Sequence, residues 1–212
     1  MTLTIYHSPN SRSMRVVWLC EEMGLPYEAK TFPVRGDYMA TDDFAAVNPN
    51  RKVPAIKDDG LILFESVAIM EYLLAKHGHG GKDGSVLLPG YGTKEYGAAL
   101  QWMHYGEAGM GQYVTTTLAH RALLPEDLRN GGMAEWGETE SLKCLDVLAG
   151  PLSAHDYLLP SGFSAADVSV VYMLLLAKFA GMSERFPKPV SAYFDRCTAR
   201  AGWRVASSGQ AD

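Results

Sequence analysis

The sequence predicts a mixed α/β domain followed by an all-helical one, and three observations carry that prediction. Strand and helix patterns alternate over the first third of the chain. A glycine-rich stretch over 79–93 then shifts the composition. Beyond it the apolar residues recur at helical spacing and no convincing strand pattern follows.

Leu3 to His7 alternates with β-type residues and reads as a strand. A polar loop follows, Ser8-Pro9-Asn10-Ser11-Arg12-Ser13. Val16, Leu19, Cys20 and Met23 then recur at helical spacing and stop at Gly24, with Pro26 just beyond. Tyr27 to Phe32 reads as a second strand, which the short helical crossover makes parallel to the first. Phe44 to Val47 suggests a short helix closed by Asn48-Pro49. Val53 to Ile56 and Leu61 to Phe64 are two strands around the hairpin signal Asp58-Asp59-Gly60. Glu65-Ser66 opens a helix through Val67, Met70, Leu73 and Leu74 that ends near Gly78. The order βαβ, helix, ββα is the thioredoxin-like arrangement, a small mixed sheet with helices on both faces.

The helical part reads as one long helix from Lys94 to about Ala119 and another from Glu126 to Leu148, weakened at Gly131-Gly132. A strongly apolar helix over Ser164 to Ala180 follows, and a last one from Pro189 to Arg200 starts at a favoured proline position. The expected domains are therefore 1–78 and 94–212, joined by a linker over 79–93.

Composition removes several classes of function. With 47% hydrophobic and 20% charged residues the chain is globular rather than disordered. Its 19 basic residues are scattered and the net charge is −5, so neither nucleic acid nor an anionic membrane is expected as a partner. The first residues lack the pattern of a signal peptide. The longest apolar run, Val168 to Phe179, is too short to span a bilayer. Cys20, Cys144 and Cys197 have no zinc or redox spacing and read as buried hydrophobes, so the expected setting is a reducing cytoplasm and no metal is expected.

Three segments carry candidate chemistry. The loop before the first helix, where thioredoxin-like redox proteins hold Cys-x-x-Cys, has hydroxyls and no cysteine, which removes dithiol chemistry. Its serines can cap the helix, or they can hold an anion such as a thiolate beside backbone N–H groups, because both use the same donors. Pro54 can be an ordinary trans proline, or a cis one that turns Val53 towards an extended peptide. Glu65-Ser66 can be a helix cap with an acidic first turn, or can hold the ammonium and carboxylate of an α-amino acid end.

The order of these segments is more specific than any one of them. Tyr6-(x4)-Ser11-(x3)-Arg15-Val16, then Lys52-Val53-Pro54-Ala55-Ile56, then Glu65-Ser66-Val67-Ala68-Ile69-(x2)-Tyr72-Leu73 resembles the glutathione transferase superfamily. The likeness is closest to its serine-dependent theta-, phi- and zeta-like classes and their bacterial relatives. Phe163-Ser164-Ala165-Ala166-Asp167 resembles the capping motif of that family's buried helix, where Ser164 and Asp167 satisfy orphan N–H groups reciprocally.

The resemblance implies an enzyme with glutathione as cosubstrate and no prosthetic group, acting on a small electrophile, and a homodimer. It implies that Ser11 donates its hydroxyl to the glutathione thiolate, with Asn10 and Ser13 as alternatives. It further implies that Val53 pairs its main chain with the cysteinyl unit, that Glu65 and Ser66 hold the γ-glutamyl end, and that Lys52 helps to bind the tripeptide. Arg51 stands where the family usually has glycine and adds charge near the glycine end. The electrophile pocket is expected against the first helix of the second domain, with Met103, Tyr105, Met110 and Tyr113 as lining residues and Trp203 near the C-terminus. Isomerisation or disulfide and peroxide reduction would use the same thiolate. A non-catalytic binding protein is the rival outside enzymology, and it would be expected to lose part of this constellation.

Overall fold

The computed structural model describes residues 3–33 and 37–208. Two compact units divide the chain: Met1–Leu88 together with Thr198–Asp212, and Pro89–Cys197.

The first unit is built on a four-stranded sheet in the order β2-β1-β3-β4. Its strands are β1 (Leu3–His7), β2 (Tyr27–Thr31), β3 (Ala55–Asp58) and β4 (Leu61–Phe64), with helices α1 (Ser13–Met23), α2 (Asp42–Ala45) and α3 (Ser66–His77). β1 and β2 run parallel, and β3 is antiparallel to both β1 and β4. Alternation sorts the side chains between two faces. Tyr6 and Ala55 join Phe44 of α2 and Val53 in one apolar cluster. Ile5 and Ile56, opposite each other across the β1–β3 ladder, are fully buried on the other face, where α1 lies against β1 and α3. The β3–β4 hairpin turns through Asp59 (φ 48°) and Gly60 (φ 86°), both left-handed, as a two-residue loop between right-twisted strands requires. Asp58 anchors that hairpin to α3, accepting from Lys76 Nζ at 2.7 Å and Tyr72 Oη at 2.9 Å.

An additional helix belongs to this unit. The sequence predicts one helix from Pro189 to Arg200, whereas that helix stops at Thr198 and a separate α9 (Ala201–Ser208) follows. α9 packs on α1, and Trp203 meets Trp18 edge-on at 5.0 Å, so Trp203 is a core residue of the first unit. Arg200 closes the junction. Its Nε and Nη2 grip the two carboxylate oxygens of buried Glu22 at 2.9 and 2.6 Å, and Nη2 also reaches Asp83 at 2.8 Å. Removing the cation would strand a carboxylate that is only 4% exposed. Arg200→Ala is therefore expected to cost about 3 kcal/mol in chemical denaturation. A loss near zero would mean that this junction does not hold α9.

The second unit holds α4 (Lys94–His104), α5 (Gly111–Leu118), α6 (Gly131–Leu152), α7 (Ala165–Phe179) and α8 (Lys188–Thr198). α7 is apolar on almost every side and almost wholly buried, so it forms the unit's axis, with α4 and α5 packed on it. Ser164 caps α7 by the expected reciprocal box with Asp167. The long helix expected from Lys94 is interrupted. Tyr105–Gly109 forms a π-turn closed by Met110 N–H on the Tyr105 carbonyl at 2.8 Å, and Ala119–Leu123 forms a second. The first of them lies against α7. Ser169 Oγ donates to the Met103 carbonyl at 2.6 Å, and a Cβ on Gly106 would lie 2.6 Å from the same Ser169 Oγ. Only glycine admits the two backbones at this approach. The helix expected from Glu126 begins at Gly131 instead, capped by the Asn130 side chain on Met133 N–H.

Candidate functional site

The sheet register gathers the three candidate segments at one edge of the first unit. Tyr6 pairs with Ala55, so the C-terminal end of β1 adjoins the start of β3, and Ala55 pairs with Phe64 at the end of β4. The Ser8–Ser13 loop, Val53-Pro54 and Glu65-Ser66 extend from these three strand ends.

Val53 precedes the paired part of β3, is 9% exposed, and is joined to Pro54 by a cis peptide bond. Among the described residues Val53 is not one of the β1–β3–β4 ladder pairs. Glu65 is exposed and left-handed (φ 78°), a conformation uncommon for a residue with a Cβ, while Ser66 behind it is 3% exposed at the first turn of α3. Arg15, fully buried on α1, donates to Ser66 Oγ at 3.1 Å. That cation was legible in the sequence only as a spacing marker, because a wholly buried arginine has no distinctive pattern. Lys52 is exposed, and its carbonyl accepts from Asn48 Nδ2 at 2.6 Å. Arg51 is committed elsewhere: its guanidinium donates to the Thr41 carbonyl at 2.7 Å and to Asp42 Oδ1 at 3.0 Å, so it serves the start of α2.

The hydroxyl loop is tightly wired. Ser11 Oγ lies 2.7 Å from the Ser8 carbonyl and 2.7 Å from Ser13 Oγ, and it accepts from Ser13 N–H at 3.2 Å. Ser13, fully buried, accepts from Ser8 N–H at 3.0 Å and faces His7 Nδ1 at 2.8 Å. Ser8 Oγ donates to the Phe32 carbonyl. Asn10 is exposed, with a left-handed backbone. Ser11 is thus the half-exposed member of a cluster whose other hydroxyls point into protein. Burial pulls the His7 imidazolium down to about 4, so its ring is neutral at neutral pH.

In the second unit Met103 and Met110 are fully buried and present no side-chain surface, contrary to a lining role. Tyr105 and Tyr113 are half-buried. Tyr105 Oη donates to the Cys144 carbonyl at 3.3 Å, and Tyr113 stacks edge-on with Trp136. A cleft of about 560 Å³ beside Ser153, Asp156 and Tyr157, and one of about 370 Å³ beside Glu21, Pro26 and Tyr27 in the first unit, share no residue with the hydroxyl loop. Among the described residues no group of three or more His, Cys, Asp or Glu could hold a metal ion, and no helix is long and apolar enough to cross a membrane.

A thioredoxin-like sheet whose redox loop carries hydroxyls, in a chain with a second unit of helices, defines the class. Residues 8–76 match the glutathione S-transferase N-terminal domain. Along 97% of its length the chain is 27% identical to glutathione S-transferase 3 of Schizosaccharomyces pombe, covering 86% of that protein. A glutathione transferase from Burkholderia graminis, solved with two glutathione molecules per subunit, superposes with a TM-score of 0.83 at 27% identity, over 98% of this chain and 88% of that one. Glutathione transferase URE2P6 of Phanerochaete chrysosporium, in complex with oxidized glutathione, gives 0.82 at 25% identity, over 98% and 95%. The chain is thus similar to glutathione S-transferases along nearly its whole length, and its residues 8–76 match their N-terminal domain.

Proposed function

We propose that this chain is a serine-type glutathione transferase that binds glutathione on its first unit and activates the thiol for attack on a small electrophile. The observation that carries this reading is the half-exposed Ser11 hydroxyl beside the start of α1, in a loop without cysteine. A hydroxyl donor and helix N–H groups favour the thiolate over the thiol, and raise the amount of nucleophile present at neutral pH. In this reading the helices of the second unit supply the electrophile pocket, with Tyr105 and Tyr113 as its candidate residues, and the enzyme works in the cytoplasm. Assays for conjugate, isomer and oxidised glutathione with a panel of electrophiles separate conjugation from isomerisation and reduction.

Glu65, Ser66 and Lys52 hold the ends of the tripeptide in this reading, and Val53 pairs with its middle. Ser66 accepts from the Arg15 guanidinium, which leaves its own O–H available to donate to the γ-glutamyl carboxylate. Ser66→Ala is expected to weaken glutathione binding by about 1–3 kcal/mol in calorimetry. Absence of binding to the wild type at millimolar glutathione would end the proposal.

The proposed assembly is a two-fold dimer. β4 is an edge strand with Leu61 43%, Ile62 39% and Phe64 38% exposed, apolar surface of the kind that a second copy covers. Sedimentation is expected to give a dimer at micromolar concentration, and Leu61→Glu combined with Phe64→Glu is expected to shift it to monomer. A wild-type monomer under those conditions refutes the assembly.

A further inference from the structure

Two buried polar side chains beside Ser11, His7 at the end of β1 and Ser13 at the start of α1, have no part in the proposal above. Ser13 is 0% and His7 2% exposed. Four polar groups surround Ser13 Oγ: Ser8 N–H at 3.0 Å, the Ser8 carbonyl at 3.1 Å, His7 Nδ1 at 2.8 Å and Ser11 Oγ at 2.7 Å. A hydroxyl has one proton and two lone pairs. Ser8 N–H can only donate, so it takes one lone pair. The other lone pair and the single proton are shared among the remaining three neighbours.

We propose that His7 and Ser13 form a buried donor relay that aims and strengthens the Ser11 hydroxyl, an inference that rests on Ser11 being the donor to the thiolate. His7 Nδ1–H donates to Ser13 Oγ, Ser13 O–H donates to Ser11 Oγ, and Ser11 O–H is released towards sulfur. Each hydroxyl that accepts a hydrogen bond becomes a better donor in turn. In that state the single Ser13 proton is committed to Ser11, and the Ser8 carbonyl gives up its contact with Ser11. No covalent bond changes in the relay; the thiol proton leaves to water.

The imidazole fixes the direction of the chain. His7 Nε2 is buried and meets no partner among the described residues, whereas Nδ1 faces Ser13. A neutral ring carries one N–H. Placed at Nδ1 it has an acceptor; placed at Nε2 it would be an orphaned buried donor, the rarer kind of unsatisfied group. Both residues are positioning residues, since neither reaches the sulfur itself.

The test is to titrate thiolate absorbance in the glutathione complex. His7→Leu and Ser13→Ala are each expected to lower the thiolate fraction at neutral pH by about three- to tenfold while glutathione affinity stays unchanged. His7→Asn, whose amide N–H takes the place of Nδ1–H, is expected to restore it. His7→Leu added to Ser11→Ala is expected to shift the thiol no further than Ser11→Ala alone. If His7→Leu and Ser13→Ala titrate like wild type while Ser11→Ala does not, the relay is wrong and the transferase reading stands. If Ser11→Ala also titrates like wild type, the donor assignment fails and the relay with it. The ring tautomer of His7, read from ¹⁵N shifts of the wild-type protein, gives a result even where a variant does not fold. Nδ1–H supports the relay and Nε2–H overturns it.

Discussion

Asp167→Ala is expected to cost about 3–5 kcal/mol of stability in urea or thermal unfolding, more than any exposed substitution in the second unit. The carboxylate is completely buried and collects four donors: Ser164 N–H at 2.7 Å, Ser164 Oγ at 3.1 Å, Leu158 N–H at 3.1 Å and Tyr193 Oη at 2.9 Å. It therefore joins the start of α7, the segment before it and α8. Truncation leaves these donors inside the protein without an acceptor, and their desolvation is no longer offset. Burial raises this carboxyl to about 6, against the hydrogen bonds from Leu158, Ser164 and Tyr193 that lower it. A folded value above the unfolded value of about 3.9 makes this contribution to stability complete below about pH 4, and it is lost as pH rises through about 6. The gap between wild type and Asp167→Ala should thus widen from neutral pH towards pH 4. The His7 titration, which destabilises the fold as pH falls, is common to both proteins and cancels in that difference. A loss below about 1 kcal/mol would show that the cap does not organise the unit.

The sheet and the buried helix were legible because their signals are local. Alternation in Leu3–His7, the Asp59-Gly60 turn and the Ser164–Asp167 box each lie within a few residues. Departures came where a partner distant in sequence lies against the segment. The π-turn at Tyr105–Gly109 lies where Gly106 closely approaches Ser169, and α9 packs on α1 through Trp203 against Trp18 and Arg200 on Glu22. Helical periodicity cannot anticipate a close approach between helices or a helix returning to the first unit.

The candidate site divides in the same way. Ser11, Val53 and Glu65-Ser66 stand out in sequence by spacing, and the β1–β3–β4 register brings their segments to one end of the strands. Buried support was not legible. Nothing in the sequence distinguishes the fully buried Arg15 from a solvated arginine, or joins His7 to Ser13 across the loop. Methionines at helical spacing were ambiguous between core and pocket, and Met103 and Met110 are core. Burial and hydrogen-bond partners depend on the whole fold, so these roles emerge only in three dimensions.

Ser11→Ala is expected to lower the rate at neutral pH by about one to two decades, with little change in glutathione affinity. The proposed contact is a hydroxyl donating to a charged sulfur, which is worth about 1.5–3 kcal/mol. Losing it raises the bound thiol's pKa by about one to two units, so the pH–rate profile moves upward by the same amount. The sign follows from which form is stabilised. The donor favours the thiolate, and without it a higher pH is needed to populate the nucleophile. The fold should tolerate the change, because Ser13 Oγ remains 3.1 Å from the Ser8 carbonyl that Ser11 also contacts. Raising the pH should therefore recover most of the lost rate, which an unfolded or misassembled variant would not do. Thiolate titration of the Asn10→Ala, Ser11→Ala and Ser13→Ala complexes distinguishes the three side chains. Asn10→Ala is expected to titrate like wild type, Ser13→Ala to shift less than Ser11→Ala, and Ser11→Ala to shift most. An unshifted thiol in Ser11→Ala, with a raised one in Asn10→Ala, would move the donor to Asn10 and retire the assignment made to Ser11.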